Sequence, residues 1–105
     1  MSLEVTFSNK FKKDYDLVKR QNKNIDDLFF LIEILINQKK LDIEYKDHPL
    51  KRKYKHCREC HVAPDFNLIY EDVPKYNRLN LIRLGSHANL FKMKKHLAFC
   101  KTNCY

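Results

Sequence analysis

The fold is decided by the segment "HCRECHVAPDFNLIYEDVPKYNRLNLIRL", residues 56–84. It contains three runs rich in strand-forming residues, which short stretches containing Pro, Asp and Asn separate. These runs predict strands over 56–62, 66–72 and 78–84. Because connections this short join antiparallel neighbours, we expect the three strands to form a meander.

The residues before the meander predict one strand and two helices. Residues 3–7 alternate between apolar and polar positions, which is typical of a short strand. Ser8 or Asn9 can cap the helix that follows, whose apolar residues recur at i, i+4 and i+7. Asn24 can cap a second helix over 25–38, which is apolar on a wide arc and is therefore expected to pack against a sheet.

The predicted order of elements is β-α-α-β-β-β, which indicates an α+β fold. Two helices should cover one face of a small, mainly antiparallel sheet, and the other face should remain open. The segment 39–55 carries no clean period, so we predict a loop there. The chain of 105 residues fits a single domain over 1–91 followed by a basic C-terminal extension over 92–105.

The composition indicates a globular protein with an anionic partner. Hydrophobic residues make up 44% and charged residues 32% of the chain, and 21 Lys and Arg outnumber 13 acidic residues, for a formal net charge of +8. This charge favours RNA, DNA, an acidic protein or a lipid surface. No apolar stretch is long enough to cross a bilayer, and the first residues lack a signal peptide, which predicts a cytoplasmic protein with reduced cysteines and no membrane partner.

Polar side chains collect at the predicted strand ends and loop mouths. His61 and Asp65 flank the first turn of the meander, Arg83 and His87 flank the end of its last strand, and His48 lies in the loop before the sheet. Because strand ends are held rigidly while loops bring in further groups, these residues can converge at one edge of the sheet.

The chemistry of this set suits the cutting of RNA without a metal. Two imidazoles can divide the general base and general acid roles, a carboxylate can orient one of them, and a guanidinium can stabilise charge on a phosphorane-like transition state. The ribose 2′-OH would attack the adjacent phosphate and the 5′-oxygen would leave protonated. DNA lacks that hydroxyl and should not be cut.

The same residues also have ordinary structural interpretations. A single histidine is more often a surface or hydrogen-bonded residue than a catalytic one, Arg83 suits a salt bridge within a strand, and Phe91 suits a core. The basic run "KRKYKHCR" (51–58) suits a phosphate-binding track and, equally, a solvated loop with an edge strand. The residues alone leave these alternatives open.

The four cysteines raise the question of a zinc site. Cys57 and Cys60 are spaced as C-x-x-C, but residues three apart in a strand point to opposite faces, and no Gly or Pro supplies the turn of a zinc knuckle. Cys100, Cys104 and His96 lie in the C-terminal extension. We therefore predict no metal and no cofactor, with a buried thiol in the sheet and incidental thiols in the extension.

Three linked motifs resemble the YafQ branch of the RelE superfamily, the toxins of bacterial type II toxin–antitoxin pairs. They are "DHPLK" (47–51), "RECHVAPDFNLIY" (58–70) and "LIRLGSHANLF" (81–91). The resemblance implies a RelE-like microbial RNase fold and an endoribonuclease that cleaves mRNA in the ribosomal A site, next to rRNA. It also implies a cognate antitoxin, and contact with operator DNA only through the toxin–antitoxin complex.

The resemblance also implies which residues form the site. The expected catalytic set is His48, His61, Asp65, Arg83, His87 and Phe91. The expected RNA-binding set comes from the basic run, with Lys51, Arg52, Lys53 and Lys55, and from Phe66 of the second motif. We expect His87 to protonate the leaving oxygen and His48 or His61, oriented by Asp65, to take the 2′ proton, with Glu59 as a candidate helper.

The chain departs from the family pattern at two of these positions. Arg52 stands where the family usually has Gly, so we expect the loop backbone there to avoid a positive φ. Phe66 stands where Trp is common, so its stacking on a base is expected to be weaker.

A protein that binds nucleic acid without cutting it is the alternative hypothesis. In that case the chain would act with an antitoxin as a transcriptional autorepressor. The two hypotheses differ in their dependence on His87, which only the nuclease requires.

Overall fold

The computed structural model describes residues 2–91, and the predicted C-terminal extension over 92–105 lies outside the described residues. Its helices and strands are β1 (Glu4–Phe7), α1 (Asn9–Arg20), α2 (Ile25–Ile36), β2 (His48–Pro49), β3 (Arg58–Ala63), β4 (Phe66–Val73), β5 (Arg78–Gly85) and α3 (His87–Leu90). The α+β class and the order of the six predicted elements, β1, α1, α2, β3, β4 and β5, are confirmed. No helix formed by residues 2–91 is long and apolar enough to cross a membrane.

The sheet has five strands in the order β1-β5-β4-β3-β2. The strands β3, β4 and β5 form the predicted antiparallel meander, and β2 adds to it as an antiparallel edge strand. The first strand, β1, returns to pair in parallel with β5 at the other edge. The sheet is therefore mixed, with one parallel pair in a mainly antiparallel arrangement.

Two short elements were absent from the predicted order. The strand β2 is only two residues long, and α3 is a single turn, so neither is long enough to produce a hydrophobic period. The start of α3 does carry a local signal, because the Ser86 side chain accepts a hydrogen bond from the backbone N–H of Asn89 at 3.2 Å.

The predicted caps of the two long helices are confirmed. The hydroxyl of Ser8 accepts a hydrogen bond from the N–H of Phe11 at 2.9 Å and donates to the carbonyl of Ile82 at 2.6 Å. The side chain of Asn24 accepts from the N–H of Asp27 at 3.1 Å. Ser8 thus begins α1 and also ties it to the end of the sheet.

The two faces of the sheet carry different cores. The face covered by α1 and α2 holds the larger one, which includes Phe11, Leu28, Leu31, Cys60, Phe66, Leu68, Leu81 and Leu84. The opposite face holds a smaller cluster, which we call the second core: Leu50, Tyr54, Ile69, Leu90 and Phe91. The prediction of an open second face is therefore wrong, because the segment around Tyr54 and the turn α3 cover the apolar Ile69 that alternation leaves there.

Asp14 of α1 forms hydrogen bonds with β5 just beyond the residues where β1 pairs with it. The pairing of β1 with β5 stops at Leu81. Beyond it, Asp14 accepts a hydrogen bond from the N–H of Leu84 at 3.0 Å, and it accepts from Nε and Nη2 of Arg83 at 2.7 and 3.2 Å. The side chains of Arg83 and Asp14 are only 15% and 14% exposed. Asp14 therefore gives the unpaired backbone N–H of Leu84 a hydrogen-bond acceptor, and it also fixes the position of the Arg83 side chain.

Replacing Asp14 with Ala should lower the free energy of unfolding by about 2–3 kcal/mol, because a largely buried guanidinium and a backbone N–H lose their partner together. Urea unfolding followed by circular dichroism measures the change. The control is Asp16→Ala, an exposed carboxylate on the same helix, which should change stability by less than about 0.5 kcal/mol. Equal losses in both variants would contradict the role of Asp14.

Candidate active site

Strand alternation separates the polar residues of β3 from its core residues. Glu59 and His61 lie two positions apart and point away from the helices, whereas Cys60 between them is fully buried in the larger core. The strand register places His48 of β2 opposite Glu59, and Asn67 of β4 opposite His61. Four polar side chains from three strands therefore share one patch of the sheet.

The segment that follows β5 brings His87 to the same end of the sheet. Gly85 pairs with Asn67 and has φ of +149°, a backbone conformation that favours glycine. A Cβ at Gly85 would meet its nearest neighbours only at 3.8 Å, so the requirement is conformational rather than steric. Glycine thus allows β5 to turn directly into α3, where His87 is the first residue.

Asp65 fixes the start of α3. It occupies the turn between β3 and β4 in a left-handed conformation, with φ of +55°. Its Oδ1 accepts a hydrogen bond from the backbone N–H of His87 at 3.2 Å. The predicted role of Asp65 as the partner of the base histidine does not match this geometry, since its hydrogen bond positions the backbone of the proposed acid.

His48 is held at both ring nitrogens. Its Nδ1 lies 2.6 Å from the carbonyl oxygen of Lys46, and its Nε2 lies 3.1 Å from Oε1 of Glu59. The other carboxylate oxygen of Glu59 accepts a hydrogen bond from Nδ2 of Asn67 at 3.3 Å. The His48 ring centroid is 6.3 Å from that of His61, so the two alternative candidates for the general base lie side by side.

Asp47 explains why β2 stays on the sheet although it has only two residues. Its carboxylate accepts a hydrogen bond from the hydroxyl of Tyr70 at 2.6 Å and two from Nε of Arg58 at 3.1 and 3.2 Å. Residues of β3 and β4 thereby anchor the chain next to His48. The position of the His48 ring thus depends on its neighbour Asp47 as well as on Glu59.

His61 is half-buried, and its environment favours the neutral ring. Burial is the largest cause that lowers its pKa below the ordinary value of 6.5, and the neighbouring Lys46, His48 and His87 lower it further. Glu59 opposes them and raises the pKa. A neutral imidazole at pH 7 can accept a proton, so His61 has the protonation state that a general base needs.

Arg83 lies on the site face but is already bound by protein groups. Besides Asp14, it contacts the hydroxyl of Tyr54 through Nη1 at 3.5 Å. The hydrogen bonds to Asp14 are the main cause that raises its pKa, so it stays a cation. The guanidinium is thus a fixed positive charge beside the second core.

Phe91 acts as a brace in this geometry. Its ring is 8% exposed, packs edge-on against Tyr54 at a centroid distance of 6.1 Å, and lies 4.9 Å from the ring of His87. Phe91 therefore packs against the His87 side chain from within the second core.

The four basic residues of the predicted RNA-binding set lie on the surface, as a phosphate-binding track requires: Lys51, Arg52, Lys53 and Lys55. The expectation that the backbone avoids a positive φ at Arg52 is wrong, because φ there is +59°. This left-handed residue opens the 3₁₀ turn Arg52–Tyr54, which directs Tyr54 into the second core. Burial of Tyr54 offsets a backbone cost of about 1–2 kcal/mol.

Phe66 cannot contact RNA, so this part of the prediction is wrong. Its side chain is 1% exposed and belongs to the larger core. The alternation of β4 places Phe66 with Leu68 and Tyr70 on the helical face, on the other side of the sheet from the histidines.

Cys57 and Cys60 lie on opposite sides of the sheet, as the strand spacing predicts. Cys60 is in the larger core, where burial raises the pKa of its thiol, and Cys57 packs against the second core. Among residues 2–91, no three His, Cys, Asp or Glu side chains are grouped so that they could hold a metal ion. Cys100 and Cys104 lie outside the described residues.

Comparison with known proteins identifies the family. Residues 3–92 match the family described as "Bacterial toxin of type II toxin-antitoxin system, YafQ". The chain belongs to the YafQ toxin family. It is 39% identical over 89 residues to the mRNA interferase toxin YafQ of Escherichia coli (strain B / BL21-DE3), covering 84% of this chain and 95% of that one. It is also 35% identical over 91 residues to a putative toxin YafQ of Haemophilus influenzae, covering 82% and 89%.

Solved structures of YafQ toxins share the fold. The crystal structure of YafQ from E. coli BL21(DE3) superimposes with a TM-score of 0.79 at 38% identity, covering 85% of this chain and 98% of that one. A metal-bound toxin from Helicobacter pylori gives 0.79 at 39% identity, covering 85% and 99%. YafQ in the E. coli DinJ–YafQ complex gives 0.77 at 39% identity, covering 85% and 98%. The predicted YafQ-like fold is thus confirmed.

Sequence reasoning left out Asp14 and Asn67, which contact Arg83 and Glu59, and it named Glu59 only as a candidate helper. A signal for Glu59 was available, because it lies two positions before His61 in a strand and so must share its face. The contact between Asp14 and Arg83 spans 69 positions in the sequence, and no local pattern encodes it.

The His61 imidazole should titrate with a midpoint below 6.5, because burial and the neighbouring Lys46, His48 and His87 disfavour its protonated form. NMR titration of its ring Cε1–H signal, assigned with a His61→Gln variant, measures this midpoint. A midpoint at or above 6.5 would show that Glu59 outweighs burial.

Phe66→Ala should lower the free energy of unfolding by about 3–5 kcal/mol, because it leaves a cavity in the larger core. Phe66→Leu should retain most of the stability and all of the RNA affinity per folded molecule. Urea unfolding and an RNA filter-binding assay measure the two quantities. Weaker RNA binding by a fully stable Phe66→Leu would restore Phe66 to the RNA-binding set.

Proposed function

We propose that this protein is the toxin of a type II toxin–antitoxin pair and an endoribonuclease that cleaves mRNA on the ribosome. The observation that carries this proposal is the placement of His48 and His61 with ring centroids 6.3 Å apart, together with His87, which comes from a third segment and lies close enough to lower the pKa of His61. The 39% identity to a relative named mRNA interferase toxin YafQ supports the same substrate class.

The reaction follows from the placement of the imidazoles. A neutral histidine, either His48 or His61, takes the proton of the ribose 2′-OH, and the 2′-oxygen attacks the adjacent phosphorus. The bond from phosphorus to the 5′-oxygen breaks, and His87 donates a proton to that leaving oxygen. The products are a 2′,3′-cyclic phosphate and a 5′-hydroxyl end, and the two imidazoles carry out both proton transfers.

Arg83 supplies the positive charge for the phosphate oxygens as negative charge builds on them. Because Asp14 holds two of its nitrogens, the guanidinium needs no reorganisation when RNA arrives. A charge fixed before the reaction stabilises a transition state better than one that must be ordered during it.

The basic surface residues would bind the RNA backbone on either side of the cleaved bond. Lys51 and Lys55 flank Tyr54, which packs into the second core, so their backbone is fixed beside Arg83. Lysine contacts with phosphates are independent of sequence, and they suit both mRNA and the rRNA that surrounds it in the ribosomal A site.

The cognate antitoxin is the expected protein partner, and the solved E. coli DinJ–YafQ toxin–antitoxin complex supports this. Contact with operator DNA would occur only through that complex. The proposed substrate places the active protein in the cytoplasm, where ribosomes translate mRNA.

His87→Ala should abolish mRNA cleavage and growth arrest, with a loss of at least about 100-fold in cleavage rate, because the leaving oxygen loses its proton donor. Induced expression followed by mapping of mRNA 5′ ends measures cleavage. Thermal unfolding of the purified variant shows whether the fold survives, since the His87 ring packs on Phe91.

Lys75→Ala is the matched control, because Lys75 lies in the turn between β4 and β5, outside the proposed site. It should cleave and arrest growth like the parent. If His87→Ala also keeps both activities while changes at Lys51 and Lys55 weaken nucleic-acid binding, the protein is instead a non-catalytic nucleic-acid-binding module.

A further inference from the structure

Glu59 is a buried carboxylate inside the site that the reaction scheme does not use. Only 2% of the residue is exposed, and a carboxylate this buried requires partners for both oxygens. Oε1 lies 3.1 Å from Nε2 of His48, and Oε2 accepts a hydrogen bond from Nδ2 of Asn67 at 3.3 Å. The side-chain oxygen of Asn67 is buried without a hydrogen-bond partner within the described residues. The contact between Asn67 and Glu59 is therefore made by the amide nitrogen of Asn67.

The contacts of His48 leave neither ring nitrogen for a substrate proton. The carbonyl oxygen of Lys46 can only accept, so Nδ1, at 2.6 Å from it, carries a hydrogen. The hydrogen bond between Nε2 and Glu59 contains one proton, whichever of the two atoms carries it. In both cases the remaining nitrogen of His48 faces the carboxylate and not the ribose.

We propose that Glu59 is a positioning residue that fixes the His48 ring and thereby leaves His61 as the group that accepts the 2′ proton. The inference rests on the proposed nuclease function and decides which of the two neighbouring histidines is its base. His48 then contributes a fixed hydrogen-bonded ring 6.3 Å from His61.

The surroundings of His61 agree with this division of roles. His61 is half-buried and not enclosed, so part of the residue reaches solvent. The charged groups that act on its pKa are Glu59 on its own strand, Lys46 and His48 beside that strand, and His87 of α3, and burial is the largest influence. His61 thus has both access to solvent space and a neutral ring at pH 7.

Glu59→Gln tests the proposal, because it keeps the size of the side chain and removes the carboxylate. Glu71→Gln is the matched control: Glu71 lies on the neighbouring strand and accepts a hydrogen bond from Asn80 at 2.9 Å, outside the site. We expect single-turnover cleavage of mRNA on purified ribosomes to slow by about 10- to 100-fold in Glu59→Gln and by less than about twofold in Glu71→Gln.

The conservative variant Glu59→Asp should recover part of the lost rate, because it restores a carboxylate at a slightly greater distance. Glu59→Asp also replaces Glu59→Gln as the test variant if thermal unfolding shows that Glu59→Gln does not fold. In that case Glu59→Asp should still cleave several-fold more slowly than the parent. Parental rates in a folded Glu59→Asp would then count against the proposal.

The pH profile separates positioning from a merely structural role. The loss of rate at acidic pH should persist in His48→Gln and in Glu59→Gln, and it should disappear in His61→Gln, since only that variant lacks the titrating base. The proposal is overturned if Glu59→Gln cleaves as fast as Glu71→Gln, or if the acidic limb is lost in His48→Gln and kept in His61→Gln.

An NMR measurement does not depend on activity. The Nε2 signal of His48 should report a hydrogen bond to Glu59 in the parent and in Glu71→Gln, and it should shift in Glu59→Gln, because a neutral amide makes a weaker hydrogen bond than a carboxylate. If the parent shows this hydrogen bond but does not cleave mRNA, the proposed nuclease function is wrong, whereas the contact between Glu59 and His48 still stands. Unchanged His48 signals in Glu59→Gln would overturn the proposal even if the parent cleaves mRNA.

Discussion

The alternation of side chains along β3 is the constraint on which the site depends. Cys60 and Val62 point into the core under the helices, so Glu59 and His61 must point to the other face. A shift of one residue in the pairing with β4 would exchange these two sets, burying the imidazole and exposing the thiol. The same apolar burial that stabilises the sheet therefore sets the direction of the Glu59 and His61 side chains.

The rest of the site is held by polar contacts between segments far apart in the chain. Asp14 of α1 holds Arg83, Asp65 holds the first residue of α3, and Glu59 holds His48. In each case a carboxylate from one segment holds an arginine or histidine residue of another, by its side chain in Arg83 and His48 and by its backbone N–H in His87. Because these contacts exist before RNA binds, the protein has already met the cost of arranging its charges.

The sequence was sufficient for the strands and helices, because long periodic segments and their caps at Ser8 and Asn24 are local signals. The linked motifs also picked out His48 and His61, whose ring centroids lie 6.3 Å apart in the fold. The prediction that Phe66 contacts RNA failed, because a match to an aromatic position of the family does not show which face of the strand the side chain lies on. The prediction for the Arg52 backbone failed as well, because the burial of Tyr54 outweighs the preference of a non-glycine residue for negative φ.

Tyr54 has a further consequence, because it interrupts a run of cations with a buried ring. An ordinary polybasic loop would lose backbone conformational entropy each time it closed on a polyanion. Here the chain from Leu50 to Cys57 is already packed on the sheet, so only the lysine and arginine side chains remain to be immobilised. Rigidity of the backbone thus becomes part of the affinity for RNA.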